Sequence, residues 1–552
     1  MIYTIVIIFA VIIIITIVSN LQSGKRLKAM IQSAFGKPPR ETETEFASIM
    51  RYAKRMDENM LRIDSITWND LEMDRVSERI NSCLSSVGEE YLYNALHQPI
   101  FDETELLKRE GLIDFFDKHP EERLAVQIAL AKLGKINYNG LTSLIFDTDF
   151  KLLENARLHK VLAVLPLAAA VMLVFSIPAG LSGVFLSFIV NLIVHFRAKK
   201  YVNTELPAIG YFASMMRCCK NLFKIEAFNN TPVMAGLKKP FDIFKKAASK
   251  APRAKAGSSM NLGLAEALAE ALWMYFSITF LYEIRHYNNF MKTVLDNNDD
   301  FHEIYKTIGE IELAIAVLSF RKSLPAFATP IFHSENAIDF RDIFHPLIQN
   351  PVTNTHRIAN DSLLTGSNAS GKSTFIKTLA VNGILAQTIY TCTAAKFAVR
   401  PSLVVTSMAV RDNLQDGESY FIVEIKSLKR ILDLVKKYPC TCYVDEILRG
   451  TNTIERIAAS SAVLSHFQKQ DCLCIAASHD IELTQILAGQ YDNYNFSEQV
   501  TDNDITFDYK LKPGPSTTRN AIKLLGVMGF DEEIVRAAEE NAAMPQHKNR
   551  PM

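Results

Sequence analysis

One stretch constrains the folding of this chain more than any other: Leu363-Leu364-Thr365-Gly366-Ser367-Asn368-Ala369-Ser370-Gly371-Lys372-Ser373-Thr374. An apolar run enters a glycine-framed loop of the pattern G-x-x-x-x-G-K-[ST], and a helical pattern leaves it. Gly366 and Gly371 let backbone N–H groups curl around an anionic phosphate, and Lys372 adds a point charge for the terminal phosphates. Ser373 offers a hydroxyl to Mg²⁺, and the helix that follows points its positive end at the same place.

A second motif lies downstream. Cys440-Thr441-Cys442-Tyr443-Val444-Asp445-Glu446 reads as a short buried strand ending in two acids. Such a strand delivers Asp445 to the shell of a Mg²⁺ ion and Glu446 to an attacking water, the division of labour that ATP hydrolysis requires. Another strand, Cys472-Leu473-Cys474-Ile475-Ala476-Ala477-Ser478, ends at His479, where a polar residue can sense a terminal phosphate.

At 552 residues the chain has room for two or three domains with sizeable cores. Lys+Arg and Asp+Glu balance at 60 each, so no global charge points to a nucleic-acid partner, although a local basic surface would suffice. The eight cysteines lack metal-like C-x-x-C spacing. Cys440/Cys442 and Cys472/Cys474 alternate along the expected core strands, which suits small reduced hydrophobes in a cytosolic domain.

Apolar runs add a membrane reading. Ile2 to Val18 is nearly unbroken and uncharged, just long enough to span, with no basic residue ahead of it and no cleavage signal. Lys25, Arg26 and Lys28 follow, which predicts an outside N-terminus and a cytoplasmic remainder. A second block, Val161 to Phe196, is interrupted by Ile177-Pro178-Ala179-Gly180-Leu181-Ser182-Gly183 and predicts two spans of about 17 residues joined by a tight turn. Lys151, Arg157, His159 and Lys160 flank one end and Arg197, Lys199 and Lys200 the other, so both ends are expected in the cytoplasm. A buried helical hairpin is the alternative. Leu272 to Tyr282, short and bounded by acids and Arg285, reads as a core helix and not as a further span.

The expected organisation is a transmembrane anchor at 1–20, a juxtamembrane linker at 21–60, and a helical core at 61–158. A transmembrane hairpin follows at 159–197, then the second part of the core at 198–335. An α/β domain occupies 336–542, where β-branched runs alternate with helical ones, and 543–552 is a tail. Lys238, Lys239, Lys245, Lys246, Lys250, Arg253 and Lys255 cluster with Asp242 alone opposing them. A solvated helix, a grip on anionic lipid and a grip on DNA phosphates all fit that cluster.

Taken together, the C-terminal motifs resemble those of the MutS family of mismatch-repair ATPases, relatives of the ABC ATPases. Thr365–Thr374 resembles the family's TGPNxxGKST, and Asp445-Glu446-Ile447-Leu448-Arg449-Gly450-Thr451-Asn452-Thr453 its DEIGRGTST. Asp416-Gly417-Glu418-Ser419-Tyr420-Phe421-Ile422-Val423-Glu424 is similar to its G-x-S-T-F-x-x-E segment, and Ser478-His479-Asp480-Ile481-Glu482-Leu483 to its T-H-x-x-E-L. Tyr509-Lys510-Leu511-Lys512-Pro513-Gly514 matches a family strand and turn. Weaker echoes of the core-domain opening occur at Ile63–Glu72 and Gly88–Tyr93, and His345-Pro346-Leu347 echoes the motif ahead of the ATPase domain. Ser367 stands where the family has Pro, Ala369 where it has Met, and Leu448 where it has the first Gly after DEI.

The resemblance implies an α/β P-loop NTPase domain of ABC-like, MutS type after an all-α core interrupted by the hairpin. It implies ATP and Mg as cofactors. Gly366, Ser367, Asn368, Ala369, Ser370, Gly371, Lys372, Ser373 and Thr374 would hold the nucleotide, and Ser373 and Asp445 the metal. Glu446 would polarise water, His479 would report the terminal phosphate, and Ser419 would reach a partner's nucleotide across a homodimer. DNA is the expected partner. Mismatch reading is not expected, because the segments ahead of residue 61 read as anchor and linker. An ABC-like coupler acting on the membrane and a nucleotide-switched scaffold for a protein partner remain alternatives to the DNA-engaging ATPase.

Overall fold

The computed structural model describes residues 22–40, 44–56, 60–147, 150, 152–203, 205–251, 264–367, 370–408, 420–500, 505–516, 522, 525 and 528–543. The chain sorts into two compact units. One comprises residues 1–60, 80–95 and 109–323, and the other 61–79, 96–108 and 324–552. The segments at 61–79 and 96–108, expected with the helical core, therefore group with the C-terminal domain.

The first unit is helical, and its core is aromatic. Phe116, Phe212, Phe228, Phe244, Phe290, Phe301, Tyr52, Tyr211 and Tyr305 are all fully buried, with the Phe212 and Phe301 rings stacked at 4.3 Å. Its axis is the helix Asn298–Lys322, which buries residues on every side. Close approach requires one glycine within it and one beside it. A Cβ on Gly309 would lie 2.4 Å from the Tyr91 ring, and one on Gly88 2.2 Å from the Glu312 carboxylate. Arg109 binds Glu310 through two nitrogens at 2.8 and 3.1 Å, and Arg321 binds Glu110 at 2.8 and 2.6 Å. The two buried arginines are thus paired by forked contacts.

A helical hairpin projects apolar side chains from this unit. Helix α1 (Ala156–Met172) and helix α2 (Ile177–Tyr201) pack against each other through small residues. Ala163, Ala169 and Gly180 are buried, and a Cβ on Gly183 would lie 3.1 Å from Ala169 Cβ. The expected break at Ile177–Gly183 is helix instead. Pro178 sits in the first turn of α2, where its missing N–H costs nothing, and Ser176 caps the end, so the turn falls at Leu173–Ser176. Among the described residues, α2 alone is long and apolar enough to cross a membrane, since α1 has 17 residues. The expected span within residues 1–20 lies outside the described residues. Helix α3 (Leu264–Thr279) departs from the expected core helix: Leu272, Met274, Tyr275 and Phe276 are exposed.

The second unit carries the β-structure. Strands β1 (Ile331–Phe332), β2 (Ile338–Ile343), β3 (Asn354–Ile358) and β5 (Lys396–Val399) form a mixed sheet in the order β1-β5-β2-β3. The main sheet has the order β12-β9-β4-β8-β7-β6. It uses β4 (Ser362–Thr365), β6 (Leu403–Ser407), β7 (Cys440–Asp445), β8 (Cys472–Ala477), β9 (Asp492–Asn495) and β12 (Lys512–Pro513). All its pairings are parallel except that of β12, which adds an antiparallel edge. A separate antiparallel pair joins β10 (Glu498–Val500) to β11 (Ile505–Phe507). Every residue of β4, β6, β7 and β8 is buried, as expected of central strands covered on both faces. All eight cysteines are free and buried. Cys440 lies opposite Cys472, and Cys442 opposite Cys474, where they fill the interior as apolar side chains.

Candidate active site

Sheet register gathers the site. Asp445 and Leu364 each lie opposite Ala477, so β4, β7 and β8 end together and deliver Gly366, Glu446 and His479 to one edge. Ligands of open parallel sheets bind at that carboxyl edge. Helix α4 (Lys372–Ile389) starts there with Gly371 as its N-cap, at φ +99°. Gly366 has φ +135°, and a Cβ there would meet the Phe496 carbonyl at 2.2 Å. Both loop glycines are thus required by backbone geometry, and Gly366 by space as well.

Within the loop, Ser370 N and Oγ both donate to Ser367 O, at 3.2 and 2.7 Å. Lys372 Nζ donates to Gly366 O at 2.6 Å and to Ser367 O at 2.9 Å, which sets the ammonium in the cradle of the loop. Thr374 is exposed in the first turn of α4. Asn368, Ala369 and Ser419 lie outside the described residues.

Asp445 and Glu446 are both buried. The Ser373 hydroxyl hydrogen-bonds the Asp445 carboxylate, whose pKa is raised by burial and by the Glu446 charge. Asp445 Oδ1 is buried with no hydrogen-bond partner. An orphaned carboxylate oxygen next to a hydroxyl and a second acid calls for a cation, and Ser373 with Asp445 suits Mg²⁺, which typically takes one or two protein oxygens beside phosphates. Among the described residues no cluster of three or more His, Cys, Asp or Glu forms an all-protein metal cage.

Glu446 is turned by a left-handed backbone, φ +55°, with His479 Nε2 2.5 Å from one of its oxygens and Arg449 Nη1 2.6 Å from the other. His479 Nδ1 lies 3.2 Å from Gly366 O, so the histidine ties the acid to the phosphate loop. Arg456 clamps Asp480, the next residue, through two nitrogens at 2.8 and 2.7 Å.

Sequence reasoning passed over three contributors. Glu424, buried, accepts the backbone N–H groups of Leu448, Arg449 and Gly450 and so holds the loop after Glu446. Arg449 pairs with Glu446. Tyr509 places its ring against Gly371, with Cδ1 3.0 Å from where a Cβ would stand. For Glu424 the signal was its place in the quoted G-x-S-T-F-x-x-E string, whereas the Tyr509 contact left none.

Comparison with known proteins agrees with this geometry. Residues 362–544 match the family MutS domain V. The chain is 29% identical over 255 residues to the DNA mismatch repair protein MutS of Pseudothermotoga lettingae, covering 43% of this chain and 30% of that protein. It is 29% identical over 250 residues to MutS of Methanothrix thermoacetophila, covering 43% and 29%. Over 221 residues it is 29% identical to the DNA mismatch repair protein MSH3 of Yarrowia lipolytica, covering 39% and 22%. The chain spans less than a third of the length of these relatives. The matched region has the α/β P-loop NTPase fold and is similar to domain V of MutS proteins.

Proposed function

We propose that the chain is a membrane-attached, MutS-like ATPase that binds and hydrolyses ATP in paired sites of a homodimer and engages DNA. The observation that carries the ATPase reading is the convergence of Lys372, Asp445, Glu446 and His479 on one sheet edge. In this reading the loop N–H groups and Lys372 bind and orient the phosphates. Ser373 and Asp445 would hold Mg²⁺, which supplies charge neutralisation at the phosphates. Glu446 positions a water for attack and draws on its proton, and His479 links that acid to the loop carrying the terminal phosphate. Ser419 completes the partner's site.

Two features support membrane attachment: the uncharged stretch Val161–Phe196 and the apolar side chains that the hairpin exposes, Val174 at 83% and Phe175 at 84%. The reading puts the protein in the cytoplasmic membrane with residues 2–18 as an anchor and the ATPase domain in the cytoplasm. DNA engagement rests on the named activity of the relatives. The basic helix Pro232–Ala248 and Lys250 just beyond it give it local charge, although Lys239 faces Asp300 at 3.5 Å and Lys245 faces Asp242 at 2.7 Å, leaving Lys238, Lys246 and Lys250 as the more available contacts.

The test is ATP hydrolysis by the full-length protein in detergent, with and without duplex, mismatched and branched DNA, at stepped salt. Stimulation that fades as salt rises fits phosphate contacts. The exposed hairpin favours a second reading, an ABC-like coupler or scaffold acting on lipid or a protein. Hydrolysis that ignores every nucleic acid but follows lipid composition would select it.

A further inference from the structure

The hairpin carries a feature that two membrane-crossing helices would not need. Its turn is its most exposed apolar part: Val174, Phe175 and Ile177 are 83%, 84% and 67% exposed, and no charged residue lies anywhere from Val161 to Phe196. A turn that emerged into water or headgroups on the far side would be expected to carry polar residues there. Several of its backbone N–H groups are also met locally. The N–H groups of Leu173 and Val174 donate to Ala170 O and Val171 O, and those of Phe175 and Ser176 both donate to Met172 O. Ala179 N is capped by Ser176 Oγ, and Gly180 N reaches Ser176 O at 2.8 Å. Each donor met within the turn lowers the cost of taking that part of the backbone out of water.

The length of the shorter arm points the same way, while α2 alone is long enough to cross. Asn191, fully buried in α2, donates through Nδ2 to Leu162 O at 3.1 Å, which puts the middle of α2 level with the start of the uncharged arm of α1. From Lys160 to the turn that arm rises about 20 Å at 1.5 Å per residue, short of the roughly 30 Å of a bilayer core. The same Asn191 amide donates to Thr279 O at 2.6 Å, so α3 joins the hairpin at that level. There α3 exposes Leu272, Met274, Tyr275 and Phe276, and Trp273 packs 5.3 Å from Tyr282. Aromatic side chains at the depth where a segment enters are typical of the membrane interface. Arg157, Lys160, Arg197 and Lys200 stand exposed at the base, suited to anionic headgroups.

We propose that the hairpin is a re-entrant wedge. It enters the bilayer from the side of the ATPase domain, its Leu173–Pro178 turn ends inside the hydrocarbon, and α3 lies along the entry surface. The inference rests on the membrane reading above and replaces two of its three spans with an insertion that does not cross.

Single cysteines test it, because the eight native ones are buried. Full-length Phe175→Cys and Tyr201→Cys are reconstituted into sealed vesicles with the ATPase domain outward. They are then exposed to a hydrophilic maleimide, added outside or trapped in the lumen, and to a lipid-soluble one. The wedge predicts that Phe175→Cys reacts about ten-fold or more slowly than Tyr201→Cys with the hydrophilic reagent from either side, yet readily with the lipid-soluble one. Fast labelling of Phe175→Cys from the lumen would mean that the hairpin crosses. That result overturns the wedge and leaves membrane attachment standing. Free labelling from outside, by protein that fails to float with the vesicles, overturns both. Protection of Phe175→Cys that persists without lipid and tracks a dimer would assign the apolar face to a second copy and overturn the wedge.

Discussion

The molecule buries carboxylates in two very different ways. In the helical unit, Glu312 accepts the N–H groups of Leu84 and Ser85 and the Ser85 hydroxyl, while Glu90 accepts from Asn139, Thr142 and Tyr305 at 2.7, 3.4 and 2.8 Å. These acids have donors from several elements, and burial raises both pKa values to about 7. In the C-terminal unit, Asp445 keeps one oxygen with no donor, and Glu446 meets His479 and Arg449 at the rim of the site. A saturated buried acid organises a core, whereas an unsaturated one beside a phosphate loop is equipped to bind something. Burial alone would not separate them.

The largest effect expected from this contrast is on turnover. Glu446→Gln keeps size and hydrogen bonding but removes the charge that draws on water. It should lower the hydrolysis rate by about 10²–10³-fold while ATP still binds. Equal turnover with wild type would place Glu446 with the core acids. Next comes Asp445→Asn. If Asp445 holds Mg²⁺, nucleotide affinity measured by fluorescence should lose most of its dependence on added Mg²⁺, while affinity without the ion stays close to wild type.

In the core, Glu312→Ala strands the Ser85 and Leu84 donors and should destabilise the fold by about 2–4 kcal/mol, with Glu312→Gln milder. The pH dependence sharpens this arm. The folded pKa values of Glu90 and Glu312 lie above the ordinary 4.5, so the folded chain holds these protons more tightly than the unfolded one. Their contribution is fully present below about pH 4.5 and is lost as pH rises towards about 7. Glu312→Gln should flatten part of that fall in thermal denaturation curves, and an unchanged slope would remove Glu312 from the account. The smallest effect belongs to Arg449→Ala. Its side chain is half exposed, so its ion pair with Glu446 is screened, and a change in turnover of about two- to five-fold, shrinking at high salt, is expected.

What was legible in the sequence follows from where the constraint lay. The strand, loop and helix from Ser362 to Ile389 could be read directly, because phosphate-loop spacing leaves the backbone little choice. Leu448, noted as replacing a family glycine, stands at φ +56°, so the departure falls at a left-handed position where glycine would be unstrained. The hairpin turn was displaced because Pro178 and the two glycines were read as breakers. Proline opens a helix as readily as it ends one, and Gly180 and Gly183 serve close packing against Leu173 and Ala169. Helix α3 was read by length and flanking charge, neither of which reveals which face lacks a neighbour. Tyr509 could not be tied to Gly371 because the contact joins positions far apart in the chain.

Asn191 has a mechanical consequence. Its single amide fastens α2 to α1 and to α3 at once, through carbonyls that are otherwise part of helix backbones. Sliding α1 or α3 along α2 would break the bond that helix accepts in apolar surroundings, whereas tilting all three together stretches neither. The amide therefore acts as a rivet, favouring movement of the three helices as one body over the slip of one past another.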